Sequence, residues 1–188
     1  MRYLSYILLV AILGTLQGCF PVVAAGVGTG ALMAADRRTT GAYIEDEGIE
    51  IKAVSQISAK YKDSTHVNVT SFNRHVLITG EVANDAAKAD IAQIVAGVSN
   101  VKAISNELAV SGLSGISSRS SDSIITGDVK LRFLKNKTFQ ADHVKVITEN
   151  GTVFLMGLVY HKEAEAATEI ASTTSGVRRV VKVFEYLD

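Results

Sequence analysis

Hydrophobic and polar positions along this 188-residue chain follow a pattern that occurs twice. In the first copy, Ile49, Ala53 and Ile57 recur at the spacing of one helix face. Two strands that alternate apolar and polar residues follow around a polar turn, and then come a second helical segment at 85–96 and a last strand at 101–110. The pattern therefore predicts the element order α-β-β-α-β.

The second copy repeats this order. Ile125, Val129 and Phe133 occupy the apolar positions of its first helix, and the Asn-Gly dipeptide at 150–151 is a strong signal for a hairpin between its first two strands. A helix at 162–173 precedes the last strand. The duplication predicts an α+β fold in two units, each with two helices packed on a three-stranded mixed sheet. Units of under about 70 residues bury modest cores, so both packing of the units and their independence remain open.

The segments outside the repeats differ from them in composition. The chain starts with Arg2 and a short apolar run, which is typical of a secretory signal and shorter than the roughly 20 residues of a membrane span. Small, weakly patterned residues indicate a flexible tether, and a Ser/Gly-rich stretch indicates a linker. The predicted organisation is a signal peptide at 1–18, a tether at 19–44, a first domain at 45–111, a linker at 112–121 and a second domain at 122–188.

The sole cysteine, Cys19, follows directly on the apolar run, with Leu16 three residues before it and the small Gly18 immediately before it. This arrangement resembles the lipobox of bacterial lipoproteins. The resemblance implies cleavage before Cys19, a diacylglycerol on its thiol and an acyl chain on the new amine, and Phe20, in place of aspartate, implies export to the outer membrane. The alternative is an ordinary signal peptide in which the cysteine is coincidental. No further cofactor is expected.

Composition narrows the functional class. Nineteen basic and nineteen acidic side chains balance to zero net charge, which argues against a general nucleic-acid binder. The histidines His66 and His143 occupy equivalent positions in the two copies, but no cysteine or paired carboxylate lies near them in sequence, so they are assigned to surface or strand-cap roles and no metal site is predicted. No catalytic dyad, nucleophile elbow or phosphate loop is recognisable in the sequence, and an enzyme is not expected.

Two short motifs recur in both copies. Residues 76–82 and 153–159 share the form Val-x-x-x-Gly-x-Val, and residues 97–101 and 176–180 share the form Gly-Val-x-x-Val. These motifs in this order resemble the BON domain, and a lipobox followed by two such domains resembles the DolP/YraP family of outer-membrane lipoproteins. The resemblance implies a lipid-anchored protein on the periplasmic face that maintains outer-membrane integrity. It also implies binding of anionic phospholipid through the second BON domain, and contact with the outer-membrane protein assembly machinery.

The first helix of the second copy is more basic than its counterpart and carries more apolar residues than one core-facing stripe needs. A basic amphipathic helix is attracted to an anionic membrane, by about 1 kcal/mol per basic residue near the surface. The residues assigned to lipid contact are Ile124, Ile125, Lys130, Leu131, Leu134 and Lys135. The residues alone are equally consistent with a basic face that is merely solvated. The family resemblance favours lipid binding. The alternative function is a protein-interaction adaptor for the envelope or the assembly machinery, with the first domain unassigned.

Two glycines are assigned structural roles. Gly80 and Gly157 lie near the ends of hairpin strands, where a β-bulge or the close packing of a helix on the sheet is the expected reason for a glycine. Neither is expected to form a ligand site.

Overall fold

The computed structural model describes residues 36–112 and 116–188, so that the signal peptide, Cys19 and most of the predicted tether lie outside it. The helices are α1 (Thr40–Tyr61), α2 (Asp85–Ala96), α3 (Ile116–Lys135) and α4 (His161–Ser172). The strands are β1 (His66–Phe72), β2 (His75–Val82), β3 (Ala103–Asn106), β4 (Ala109–Val110), β5 (Val144–Glu149), β6 (Thr152–Val159) and β7 (Arg179–Tyr186). Short 3₁₀ turns at Lys62–Ser64 and Ala141–His143 precede β1 and β5. The order α-β-β-α-β occurs twice, as predicted.

Each copy forms a mixed sheet around a central strand. In the first, β2 pairs antiparallel with β1 and parallel with β3 and β4, which are two pieces of the single last strand that the pattern predicts. In the second, β6 pairs antiparallel with β5 and parallel with β7. Asn73 and Arg74 have φ of 51° and 67°, and Asn150 and Gly151 have 47° and 69°. Positive φ at both central residues is what a type I′ hairpin turn requires.

The first helix of each domain begins before the predicted start of that domain, so part of the predicted tether and part of the predicted linker are helical. Helix α1 begins at Thr40, inside the predicted tether, and the Thr39 hydroxyl caps it by accepting a 3.1 Å hydrogen bond from the Ala42 amide. Helix α3 begins at Ile116, so residues 116–121 of the predicted linker are helical. Small and polar residues occur both in loops and on the exposed sides of helices, so composition alone cannot tell the two apart.

The helices cover one face of each sheet. In the first domain the core contains Ile49, Ala53 and Ile57 of α1 packed against Val76 and Ile78 of β2. The second domain has the equivalent core, in which Ile125, Val129 and Phe133 of α3 pack against β6. No helix within the described residues combines the length and the apolar character that crossing a membrane would need.

The other faces of the two sheets pack on each other. Phe72 and Leu77 of the first domain form a buried cluster with Phe154, Met156 and Leu158 of the second. The central strands β2 and β6 are consequently buried on both faces, although the hairpin residues of the first copy alternate between apolar and polar in sequence. The two domains therefore form one packed pair.

Gly80 and Gly157 must be glycines because the backbone at the start of the neighbouring strand leaves no space for a side chain. A Cβ atom on Gly80, whose φ is +113°, would lie 2.0 Å from the carbonyl oxygen of His66, and one on Gly157 would lie 2.3 Å from that of His143. Both contacts are far shorter than van der Waals distance. The close approach is thus to the backbone at the start of the paired strand, and the expected approach of a helix is not what excludes a side chain.

Candidate functional site

The candidate site is the solvent-facing side of helix α3. Ile124, Leu131 and Leu134 are 66%, 56% and 68% exposed, although α3 also has a fully buried side against the sheet. Ile124 and Leu131 are seven residues apart and so lie on the same face, two turns from each other. The exposed Lys130 and Lys135 flank them. The helix thus presents to solvent an apolar stripe that is bordered by these two lysines and by the exposed Asp128.

Ile125 does not belong to this face, and its assignment to lipid contact is wrong. It is only 7% exposed and packs in the core with Val129 and Phe133. Adjacent helix positions differ by about 100° in direction, so Ile124 and Ile125 cannot both face a membrane surface.

Arg132, a further basic residue of α3, is engaged within the protein. Its guanidinium donates hydrogen bonds to the Ile170 carbonyl oxygen at 2.7 Å and to the hydroxyls of Thr174 at 2.6 Å and Thr173 at 2.9 Å. A cation at the C-terminal end of α4 offsets the partial negative charge of the unpaired carbonyls there. Arg132 therefore fixes α3 against α4, and Lys130 and Lys135 are the basic residues left to border the apolar stripe.

Helix α1 of the first domain also exposes apolar side chains, a feature that was not predicted from the sequence pattern. Ile44, Ile51 and Val54 are exposed, and Ile44 and Ile51 again share a face. Their surroundings differ in charge, because the exposed Glu47 lies between Ile44 and Ile51 on this face, whereas Lys130 and Lys135, together with the exposed Asp128, lie beside the stripe of α3. Charge, more than hydrophobicity, distinguishes the two helices.

Two consecutive arginines connect the domains at the start of the described chain. Arg37 donates hydrogen bonds to both carboxylate oxygens of Glu163 in α4, at 2.6 and 2.8 Å, and to the Leu158 carbonyl oxygen at 2.9 Å. Arg38 pairs with Asp46 of α1 at 2.9 Å and lies 4.1 Å from the ring centroid of Phe72. The hydrogen bond from Arg37 is the main reason that the pKa of Glu163 is lowered. Both arginines fall in the predicted tether, so the prediction of a flexible segment is wrong for residues 36–39.

Each of the two equivalent histidines lies at the start of a strand, as the strand-cap assignment predicts, but His143 is buried and His66 is partly buried. His143 is buried, with Nδ1 at 3.8 Å from Glu163 Oε1. His66 begins β1, with Nδ1 at 2.9 Å from Glu81 Oε2 and 3.7 Å from Glu149 Oε1. Burial raises the pKa of Glu149, against a hydrogen bond that it accepts from Asn68. The sequence does not predict that His66, Glu81 and Glu149 lie together, because Glu149 belongs to the second domain whereas His66 and Glu81 belong to the first.

Comparison with known proteins gives a consistent assignment. The family model for the BON domain matches residues 45–112 and 121–188. The chain is 42% identical to the "Outer membrane lipoprotein DolP" of Haemophilus influenzae, over 92% of this chain and 91% of the relative. It is 36% identical to the "21 kDa hemolysin" of Actinobacillus pleuropneumoniae, over 81% and 79% of the two chains. It is 26% identical to the "Osmotically-inducible protein Y" of Escherichia coli, over 74% and 72%.

Proposed function

Since this chain belongs to the BON-domain family, we propose that it is a non-catalytic outer-membrane lipoprotein that binds anionic phospholipid through helix α3 of its second BON domain. It faces the periplasm and contributes to the integrity of the outer membrane. The observation that carries the proposal is the exposed stripe of Ile124, Leu131 and Leu134 between Lys130 and Lys135.

This stripe suits an interface between water and lipid. Apolar side chains that lie in the headgroup region leave water, and each basic residue near an anionic surface adds about 1 kcal/mol. Lys130 and Lys135 would therefore contribute about 2 kcal/mol between them at low salt. Binding of this size is weak for a free protein, but it is sufficient to select a membrane region for a protein that is already anchored.

The packing of α3 supports this role. Val129 and Phe133 hold the helix on the sheet, and Arg132 joins it to the end of α4. Because the buried side of α3 is fixed, the exposed side needs no ordering when it meets a membrane, which lowers the entropic cost of binding.

Anchoring through Cys19 belongs to the same proposal. Acyl chains on this cysteine would hold the protein at the membrane almost permanently, because each buried CH₂ contributes about 0.8 kcal/mol. The second BON domain would then act on the lipids close to the anchor and would not be needed for attachment.

Vesicle co-sedimentation tests the lipid site. The mature chain with Cys19→Ser is mixed with phosphatidylcholine vesicles with and without phosphatidylglycerol. We expect binding only to the anionic vesicles, with a loss of roughly tenfold or more for Lys130→Glu/Lys135→Glu and for Leu131→Asp. Matched controls are Lys52→Glu/Lys162→Glu and Ile51→Asp, which change exposed residues of other helices. Equal binding by Leu131→Asp and Ile51→Asp would contradict a lipid site on α3.

A second candidate function, as an adaptor for an envelope protein, is favoured by helix α1. Its exposed Ile44, Ile51 and Val54 beside Glu47 form an apolar surface whose charge does not suit an anionic membrane. If α1 docks a protein partner, Ile51→Asp should weaken the resistance of cells to large antibiotics while vesicle binding stays normal. A normal barrier in that variant would argue against the adaptor function of this surface.

A further inference from the structure

Three metal-ligating side chains meet where the two domains pack together. His66 and Glu81 come from neighbouring strands of the first domain, and Glu149 comes from the end of β5 in the second. One ligand atom from each residue lies within 4.8 Å of the others. We propose that His66, Glu81 and Glu149 bind one zinc-like divalent transition-metal ion that joins the two BON domains.

The distances suit tetrahedral coordination. Zinc binds histidine nitrogen and carboxylate oxygen at about 2.0–2.2 Å, so ligand atoms around it lie about 3.3 Å apart. His66 Nδ1 lies 2.9 Å from Glu81 Oε2 and 3.7 Å from Glu149 Oε1, one shorter and one longer than this separation. Small side-chain rotations would equalise them around a central ion.

Charge favours a cation at this place. The side chains of Glu81 and Glu149 are 5% and 12% exposed, and both approach the same imidazole ring. Carboxylates withdrawn from water are stabilised by an opposite charge, and the single imidazole that both approach can offset only one of them when it is protonated, while Arg119 lies on the wall of the cavity beside Glu149. A divalent ion balances both and leaves the imidazole neutral, as a metal ligand must be.

A supporting residue and an entry path are present. Asn68 donates a 2.9 Å hydrogen bond to Glu149 Oε2, which orients the carboxylate and leaves Oε1 facing His66. A cavity of about 340 Å³ opens onto two of the three ligands, His66 and Glu149, and offers a path for an ion and for water. Its lining includes His66, Asn68, Asp122, Thr148 and Glu149, together with Arg119.

The ligand set selects the class of metal. Imidazole nitrogen suits zinc and its neighbours, whereas calcium requires six to eight oxygen ligands and magnesium keeps several waters. Because the ligands come from both domains, an ion bound here stabilises the packed pair over the separated domains by mass action.

The proposal is tested by measuring zinc binding. The full lipidated chain is purified in detergent, and a chelator first removes any bound metal. Calorimetry with zinc chloride should show one ion per chain, and the melting temperature should rise with zinc and fall with chelator. Glu149→Gln and His66→Asn should each lose at least about tenfold in affinity and lose the zinc-dependent rise in melting temperature. Cobalt substitution should give the visible absorption of a four- or five-coordinate site in the wild type only.

Matched controls separate this site from adventitious binding. Glu185→Gln removes another glutamate that bridges the domains, through its 2.7 Å contact with Asn73, and His161→Asn removes an exposed histidine paired with Asp188. Both variants should bind zinc as the wild type does. No binding by the wild type, or binding that survives in Glu149→Gln but is lost in His161→Asn, would overturn the proposal.

Discussion

Asp46 and Asp122 occupy equivalent positions on the first helices of the two domains, and each carboxylate accepts hydrogen bonds from the amides of the hairpin turn that faces it. Asp46 binds the Asn73 and Arg74 amides at 2.8 and 2.7 Å. Asp122 binds the amides that follow β5, at residues 150–151, both at 2.8 Å. The two type I′ turns leave these amides without a partner in the sheet, so a buried carboxylate on the helix satisfies them.

Loss of these carboxylates should cost unequal amounts of stability. Asp46 also accepts a 2.6 Å hydrogen bond from the Ser71 hydroxyl and pairs with the largely buried Arg38. We expect Asp46→Ala to lower the free energy of unfolding by about 3–5 kcal/mol, because it weakens the compensation of a buried charge. Asp122→Ala should cost about 1–3 kcal/mol, the cost of unpaired amides. Urea unfolding measures both values, and an equal or larger loss for Asp122→Ala would contradict this account.

The strand glycines should not tolerate a methyl group. Gly80→Ala and Gly157→Ala would each place a Cβ within 2.3 Å of a backbone oxygen, so we expect losses of about 2–4 kcal/mol in the free energy of unfolding. Gly127→Ala is the matched control, since nothing lies within 4 Å of a Cβ at this position of α3. It should be neutral or stabilising by up to about 1 kcal/mol through helix propensity. Thermal unfolding of the three variants would show whether only the two strand positions are sensitive.

The contact of Arg37 with Glu163 should make stability depend on acid pH. The folded protein holds the pKa of Glu163 below its ordinary value of 4.5, chiefly through the hydrogen bond from Arg37, with smaller contributions from the Tyr160 amide and from His143. The unfolded chain therefore takes up the proton at a higher pH than the folded one. The contribution to stability is complete above about pH 4.5 and is lost as the pH falls through the lowered pKa of the folded state.

Glu163→Gln and Arg37→Gln test this directly. Each substitution should lower the free energy of unfolding by about 1–2 kcal/mol at neutral pH. The difference in this free energy between variant and wild type should shrink below about pH 4.5. Urea midpoints across the acid range give the measurement, with Glu165→Gln on the exposed side of α4 as control. A difference that stays constant down to pH 3 would show that the pair does not titrate as described.

The two BON domains should unfold together. Phe72 lies in the buried cluster between the sheets, beneath Arg38. We expect Phe72→Ala to lower the free energy of unfolding by about 3 kcal/mol and the melting temperature by roughly 6–12 °C. Calorimetry should show one transition for the wild type, whereas Ile51→Ala, at an exposed position of α1, should change little. Two separate transitions in the wild type would show that the domains fold independently.

The candidate site could be predicted only in part. The helical period placed Leu131 and Leu134 opposite the core, but it could not place both Ile124 and Ile125 on the same face, and the structure buries the second. Likewise, Arg132 is as basic in sequence as Lys130, and only the position of α4 shows that its charge is used inside the protein. Whether a polar side chain finds a hydrogen-bonding partner depends on the tertiary structure.

The sequence by itself determined the duplication, the order of elements and the two hairpins, because period and turn chemistry are local. The tertiary structure decided that the domains pack sheet to sheet. One local signal for this existed, since β6 reads Val-Phe-Leu-Met-Gly-Leu-Val without alternation, which is typical of a strand buried on both faces. The partners of that second face, the arginine contacts across the domains and the meeting of His66 with Glu149 join residues far apart in the chain. Such contacts form where packing brings surfaces together, and no short-range pattern encodes them.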